Sequence, residues 1–145
     1  MIKEEIQKKI LTSLKEKKEM ELKVLRFILS QINYAEIAKQ KPLTDEEIMA
    51  LLQKELKKRK EAIEMFRKAG RSEMVADEEK QLPVIEQYLP KQISQEELAK
   101  IVDETVKSIE GVPNMGQVIG MVMKKVKGQA DGGMVASIVK QKLGQ

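Results

Sequence analysis

The stretch that decides the fold reads EMELKVLRFILSQINYAEIAK and spans residues 19–39. A helix that is apolar around its circumference usually lies inside a bundle, with neighbours on several flanks. We therefore predict that residues 19–39 form the central helix of an N-terminal helical bundle. The apolar side chains that cover most sides of this helix are Leu22, Val24, Leu25, Phe27, Ile28, Leu29, Ile32, Ala35 and Ile37.

A first helix is predicted before this central one, followed by a turn at residues 15–18. Apolar residues that recur every fourth position lay one stripe along such a helix. The stripe consists of Ile2, Ile6, Ile10 and Leu14.

Two further helices are predicted after Pro42, which ends the central helix. Thr44 and Glu47 have the spacing of a capping box, and Gly70 suits the left-handed position after a helix end. A fourth helix is predicted after Ser72, and Pro83 predicts a kink or a restart within it because proline removes one backbone donor. These elements give an N-terminal subdomain, residues 1–90.

The remaining residues, 91–145, predict a smaller subdomain of three short helices. Ser94 and Glu97 form a second candidate capping box, Asn114 is a candidate cap for the next helix, and Asp131 for the last. With abundant Lys, Glu, Leu, Ile, Met and Gln and few aromatic residues, the chain as a whole is predicted to be all-α.

The composition also excludes several classes of protein. No apolar run is long enough to span a bilayer, and acids near the N-terminus do not suit a secretory signal, so we expect a cytoplasmic protein without membrane contact. The chain has no Cys and no His, which excludes thiol nucleophiles, imidazole-based triads and zinc sites of the usual kind. We predict no metal, no cofactor and no catalytic residue, and expect no self-contained catalysis.

Nearly all of the net charge lies in the last 31 residues, 115–145. Five lysines stand there against one acid, Asp131, so this segment carries +4, whereas the other 114 residues hold 22 basic and 22 acidic side chains. A balanced body with a cationic end indicates an anionic partner that touches this end.

The candidate contact residues lie in and after the turn between the last two predicted helices. Glycines let a backbone come close to a partner, and neighbouring lysines attract a phosphate backbone without reading its sequence. An ordinary turn with solvated lysines is the alternative, and Asp131 argues against a phosphate at the helix start because it would satisfy the amides there itself. The predicted RNA-binding residues are Lys124, Lys125, Lys127, Gly128, Gln129, Lys140 and Lys142.

Two arginines border the apolar stripes of the N-terminal bundle. Arg59 interrupts the stripe of the third helix, and Arg26 borders that of the central helix. Because charges at the edge of a core are usually paired with a carboxylate or extend out to solvent, we expect structural roles, with Glu36 and Glu55 as candidate partners.

Short motifs along nearly the whole chain resemble one known family. In the first half they are Leu25-Arg26, Ala35-Glu36-Ile37, Leu43-Thr44-Asp45-Glu46-Glu47, Gln53-Lys54-Glu55 with Arg59, Ala69-Gly70-Arg71 and Glu86-Gln87-Tyr88-Leu89-Pro90. In the second half they are Met115-Gly116, Gly120, Val122-Met123, Lys127-Gly128, Ala130-Asp131-Gly132 and Val135. Their order and spacing resemble the YqeY family, relatives of the C-terminal tail of the GatB subunit of glutamine-dependent aminoacyl-tRNA amidotransferases.

The resemblance implies an all-helical protein whose second subdomain corresponds to the GatB tail. That tail is understood to contact tRNA, while glutamine hydrolysis and amide transfer take place elsewhere. The implied function is a tRNA-binding accessory module, with tRNA and a tRNA-dependent amidotransferase as partners and no DNA. Kinship to a carbon–nitrogen ligase with glutamine as amido-N-donor implies no chemistry in this chain. Gln129 occupies a place where relatives often carry Arg, and Gly133 lacks the side chain usual there.

Two other functions remain open at this point. One is a protein-interaction adaptor that has no RNA contact of its own and docks on an enzyme through an apolar surface around Val118, Ile119 and Met123. The other is an amidotransferase-type enzyme, against which the missing catalytic apparatus argues.

Overall fold

The computed structural model describes residues 1–144; Gln145, the last residue of the predicted subdomain 91–145, lies outside the described residues. Within this range the chain consists of α-helices joined by short turns and contains no β-strand, which confirms the predicted all-α class. The helices are α1 (Ile2–Lys15), α2 (Glu19–Lys39), α3 (Asp45–Lys68), α4 (Ser72–Glu86), α5 (Gln95–Ser108), α6 (Met115–Lys125) and α7 (Gly132–Lys142).

The chain divides into two compact units, Met1–Leu89 and Pro90–Gln145, which we call unit 1 and unit 2. Each unit has its own apolar core. The division falls one residue before the boundary drawn from the sequence.

In unit 1, α1 packs on α2, α3 packs on α4, and α2 also contacts α4. Short turns connect the members of each pair, so the unit is built from two helical hairpins. Its buried core is formed by Ile6, Val24, Leu25, Ile28, Ile32, Ile48, Leu52, Leu56, Val84, Ile85 and Leu89.

The ends of α3 follow from local chemistry. The Thr44 hydroxyl accepts a hydrogen bond from the Glu47 amide, and the Glu47 carboxylate accepts one from the Thr44 amide, which is the predicted capping box. After the helix, Gly70 has φ +71, a left-handed conformation that costs glycine little. The start and stop signals of this helix are therefore confirmed.

The stripe of α1 differs from the prediction at its C-terminal end. Ile6 is buried and both Ile2 and Ile10 are half-buried, but Leu14 is 51% exposed. Ser13 is buried instead. A period of exactly four residues drifts around a helix that has 3.6 residues per turn, so the fourth member of the series has rotated away from the core.

Of the kink or restart expected at Pro83, the restart does not occur, because α4 continues through Pro83 to Glu86. The carbonyl of Pro83 accepts a hydrogen bond from the Gln87 amide at 3.1 Å, so the ladder resumes directly after the proline. Proline removes one donor, and the surrounding packing of α4 against α3 and α2 tolerates that loss.

The central helix α2 is buried on one side rather than on most sides. Val24, Leu25, Ile28 and Ile32 face the core, as predicted. Phe27 and Ile37, which the sequence also assigned to the core, are 41% and 73% exposed. The helix thus has an apolar outer face that its own unit leaves uncovered.

Unit 2 is a three-helix unit in which α5, α6 and α7 all contact one another. Ser94 caps α5 by accepting from the Glu97 amide at 3.1 Å, and Asn114 caps α6 by accepting from the Gln117 amide at 3.3 Å. Its buried core is formed by Leu98, Val102, Val118, Val122, Val126, Ala130, Val135, Ile138 and Val139.

Candidate nucleic-acid interface

The turn between α6 and α7, residues 126–131, is held in place by the chain that precedes α5. The Ile93 amide donates to the Gln129 carbonyl at 3.0 Å, and the Gln92 side-chain amide donates to the Gly128 carbonyl at 3.0 Å. Gly128 has φ +75, which is strained for any residue with a Cβ. The turn is therefore fixed by internal hydrogen bonds and presents a defined backbone shape.

Gly128 and Gln129, two of the predicted contact residues, are half-buried within this turn. Their carbonyls accept the hydrogen bonds from Gln92 and Ile93, so both residues have a structural role. Carbonyl oxygens would also repel phosphate. These two residues shape the turn, and a polyanion would meet the lysines around them instead.

The start of α7 is capped, as the sequence indicated. A carboxylate oxygen of Asp131 accepts from the Met134 amide at 3.2 Å, and the Asp131 carbonyl accepts from the Val135 amide at 3.1 Å. The Met134 amide, one of the groups that make a helix start attractive to phosphate, is occupied by the Asp131 carboxylate, which also adds a negative charge. A phosphate site at the first turn of α7 is not favoured.

Two of the predicted lysines bind the neighbouring helix α5. Lys125 Nζ donates to Thr105 Oγ1 at 2.9 Å, and the Thr105 hydroxyl in turn donates to the Ile101 carbonyl at 2.7 Å. Lys142 Nζ lies 3.1 Å from Asp103 Oδ2 in a partly exposed ion pair. Thr105 is a neutral partner, so Lys125 keeps an uncompensated charge, whereas Lys142 is compensated by Asp103.

These two contacts place Lys125 and Lys142 on different flanks of α5. Asp103 and Thr105 are two positions apart, so their side chains leave the helix about 200° apart. The two lysines that contact them approach α5 from nearly opposite directions. The sequence segment 115–145 is therefore cationic along the chain without forming one continuous cationic face.

The other predicted lysines, Lys124, Lys127 and Lys140, are exposed. Lys124 lies in the last turn of α6 and Lys127 in the connecting turn, whereas Lys140 lies near the far end of α7. Eight residues of helix separate Gly132 from Lys140, which is about 12 Å along the axis. Lys124 and Lys140 make no side-chain hydrogen bond or ion pair with any residue in 1–144.

The acidic residues of unit 2 reduce its positive electrostatic potential. The unit contains eight lysines and six acidic residues and so carries +2, the same charge as unit 1. Five of those acids lie in α5 and the turn after it: Glu96, Glu97, Asp103, Glu104 and Glu110. The +4 of segment 115–145 thus packs against a helix of opposite charge, a pairing that linear sequence does not show.

One further cation differs from its expected role. Arg26 is exposed and does not pair with Glu36, because Glu36 binds Lys3 and accepts a hydrogen bond from the Leu43 amide at 2.9 Å. Of the two expected alternatives, Arg26 therefore extends to solvent, and the candidate partner Glu36 is not paired with it. Arg26 instead lies among exposed residues on the outer face of α2. The sequence did not identify this face as exposed, because the apolar residues on it fit the pattern of a core.

Two negative findings apply to the described residues. Residues 1–144 contain no group of three or more acidic side chains arranged to hold a metal ion. None of the helices in the same range combines the length and the apolar character needed to cross a membrane.

Comparison with known proteins identifies the family of this chain. The family model described as "Yqey-like protein" matches residues 3–143. An uncharacterized protein of Schizosaccharomyces pombe is 39% identical over 89 residues, which cover 61% of this chain and 72% of that protein. The mitochondrial "altered inheritance of mitochondria protein 41" of Pyrenophora tritici-repentis is 30% identical over 129 residues, which cover 86% of this chain and 71% of that protein. The resemblance drawn from the motifs is confirmed, and the chain belongs to the YqeY family.

Proposed function

We propose that the chain is a tRNA-binding accessory module whose unit 2 holds the sugar-phosphate backbone. The observation that carries the proposal is the exposure of Lys124 and Lys140, which have no internal partner within residues 1–144. Lys127 adds a third exposed ammonium group beside the fixed turn. Exposed lysines on a rigid scaffold attract a polyanion and release its counterions, which provides affinity without reading base sequence.

The choice of tRNA as the polyanion rests on the resemblance of unit 2 to the GatB tail. The geometry supports a contact with backbone and shape, since all the aromatic residues of this chain lie in unit 1. The proposal assigns no chemistry to the chain. It places the protein in the cytoplasm and assigns it to assist a tRNA-dependent amidotransferase, which would carry out glutamine hydrolysis and amide transfer.

The alternative of an adaptor that docks through α6 loses support from the geometry. Val118 is fully buried, and both Ile119 and Met123 are half-buried against the core of unit 2. These residues hold the three helices together, so they offer little surface to a partner.

A salt titration with tRNA tests the proposal. Each phosphate contact contributes roughly 0.7 to 0.9 to the slope of log K against log salt. We expect the triple variant Lys124→Gln/Lys127→Gln/Lys140→Gln to flatten that slope by about 2 and to weaken binding at least tenfold at low salt. A duplex DNA of similar length serves as a second probe, and it is expected to bind more weakly because its shape differs.

The matched control changes the same number of lysines elsewhere in unit 2. The variant Lys91→Gln/Lys100→Gln/Lys107→Gln loses the same charge, and its lysines are also exposed. It is expected to retain most of the affinity. Equal losses in both triple variants would show that only net charge matters, and absence of salt-dependent binding by the unmodified chain would remove the proposal.

A further inference from the structure

The outer face of α2 carries a stripe of large apolar side chains that the fold leaves exposed. We call it the α2 stripe, and its members are Met20 (42% exposed), Phe27 (41%), Tyr34 (69%) and Ile37 (73%). The spacings of seven, seven and three residues place all four side chains within an arc of about 100° on the helix. The stripe is about 26 Å long, which corresponds to nearly five helical turns.

The same face is cationic. Lys23 falls within the arc and Arg26 beside it, and Lys41 lies two residues after the end of α2; all three are exposed. Their side chains make no hydrogen bond or ion pair with any residue of the described part of the chain. The one acid on this side of α2 is Glu19, in its first turn. Two exposed cations therefore lie at the α2 stripe, and a third follows the C-terminal end of its helix.

An exposed stripe of large side chains that includes two aromatic residues and Met and has Arg beside it is typical of a protein interface. The positive charge beside the α2 stripe favours a partner with acidic residues. A second copy of this chain would bring its own Lys23 and Arg26 into the same interface, so like charges disfavour self-association through this face.

A single-stranded nucleic acid fits the face less well than a helix does. Ile37 and Met20 have no flat surface on which a base can stack, and one face of the Phe27 ring is covered by Arg59. Apolar residues spaced by seven and three along a helix instead match the seam by which two helices pack.

We propose that the α2 stripe is the docking surface for an acidic amphipathic helix of a partner protein. The partner helix presents apolar residues at positions i, i+3 or i+4, and i+7, with Asp or Glu on both sides of that seam. Its apolar residues cover Phe27, Tyr34 and Ile37, and its carboxylates pair with Lys23, Arg26 and Lys41. This surface lies on unit 1, so it is independent of the RNA contact proposed for unit 2.

The probe is a synthetic peptide of four heptads with Ile at a, Leu at d and Glu at e and g, whose acidic flanks oppose its self-association. Binding to the full chain is measured by isothermal titration calorimetry at low salt. We expect saturable binding with a negative heat-capacity change, as apolar burial requires. The variants Tyr34→Ser/Ile37→Ser and Lys23→Glu/Arg26→Glu are each expected to weaken binding at least tenfold.

Two controls separate docking from nonspecific attraction. Leu11→Ser/Met65→Ser removes two apolar side chains of unit 1 that are comparably exposed, at 61% and 71%, and is expected to leave binding unchanged. A peptide with Lys in place of Glu should bind the Lys23→Glu/Arg26→Glu variant and not the unmodified chain. The triple lysine variant of unit 2 should bind the acidic peptide normally, so this test does not depend on the proposed function.

Several results would overturn the proposal. They are no binding of the acidic peptide, equal binding by the Tyr34→Ser/Ile37→Ser variant, or no rescue by the basic peptide. The stripe variants are also tested with an oligouridine and with anionic phospholipid vesicles. If they lose binding to one of these probes while they still bind the peptide, the face is assigned to RNA or to a membrane surface instead.

Discussion

The guanidinium carbon of Arg59 lies 5.9 Å from the centre of the Phe27 ring, so a cation on α3 stacks against an aromatic ring on α2. Nε of Arg59 donates to Glu55 at 3.0 Å, and Nη1 donates to Gln81 and lies 3.6 Å from Glu78. Only 14% of the Arg59 side chain is exposed. One arginine thereby connects three helices of unit 1, and its predicted pairing with Glu55 is confirmed.

Replacement of Arg59 is expected to destabilise unit 1. In Arg59→Met, Glu55 and Glu78 lose their cation while they remain poorly hydrated, which should lower the free energy of unfolding by about 2 kcal/mol. Urea denaturation followed by circular dichroism measures the change. Arg67→Met is the control, because Arg67 is 55% exposed and its ion pairs are expected to contribute no more than about 0.5 kcal/mol. Equal effects of the two substitutions would contradict the structural role.

Glu36 is expected to make stability depend on acid pH. Its hydrogen bond with Lys3, together with the bond from the Leu43 amide, lowers the pKa of the Glu36 carboxyl below its usual value. A carboxylate with a lowered pKa stabilises the fold above the unfolded-state pKa, and this contribution is lost as the pH falls through the folded-state pKa. Glu36→Gln should therefore be less stable than the unmodified chain at pH 7, and the difference should shrink below about pH 4.

The measurement is a series of urea titrations between neutral and acid pH. Glu110→Gln, at an exposed position in unit 2, is the control and should leave the pH profile unchanged. A difference between Glu36→Gln and the unmodified chain that stayed constant with pH would show that the ionised form has no special role.

Tyr88→Phe is expected to leave the protein as stable or more stable. The Tyr88 hydroxyl is buried and has no hydrogen-bond partner among residues 1–144, so its removal relieves a desolvation cost of about 1 kcal/mol. Burial, reinforced by the negative charges of Glu21 and Glu5, raises the pKa of Tyr88 to about 12.

The raised pKa gives this variant a signature at alkaline pH. The unfolded tyrosine ionises near pH 10 while the folded one keeps its proton to about pH 12, so the unmodified chain loses stability in that interval. The advantage of Tyr88→Phe should grow as the pH rises above 10, whereas Tyr34→Phe, at a 69% exposed position, should show no such trend. A loss of stability in Tyr88→Phe would indicate that the hydroxyl has a partner such as an ordered water.

Asp131 offers a way to separate capping from charge. Asp131→Asn keeps an oxygen for the Met134 amide and removes one negative charge from the turn that also carries Lys127, so we expect nearly unchanged stability and roughly two- to threefold tighter tRNA binding at low salt. Asp131→Ala removes the cap and should cost about 1 kcal/mol. Thermal denaturation and the tRNA titration measure the two effects, and weaker binding by Asp131→Asn would argue that RNA does not approach this turn.

The sequence predicted those features of the fold that local chemistry determines. The capping box of Thr44 and Glu47 and the cap by Asp131 each depend on side chains within three residues of one another, so their spacing is sufficient to identify them. The outer face of α2 could not be predicted in the same way. An isoleucine such as Ile37 is a residue type that suits a core. Only the packing of α1 and α4 on the other side of α2 shows that no part of unit 1 covers Ile37.

The candidate site shows the same limit. The count of lysines in 115–145 was correct, but a count along the chain does not include the acids that folding brings beside them. The pair of Lys142 with Asp103 joins residues 39 positions apart, and the contact of Lys125 with Thr105 spans 20. The solvent-exposed position of Arg26 has a related cause, since Glu36 binds Lys3 from another helix.

The hydrogen bond from the Ile93 amide to the Gln129 carbonyl has a consequence for exchange with deuterated solvent. Ile93 precedes α5, where a loop amide would ordinarily exchange fast, yet its amide is released only when its contact with the turn 126–131 opens. Its deuteration should therefore report the opening of that turn, and after a protease cuts behind Lys91 the new N-terminal residues should remain hydrogen-bonded to the turn.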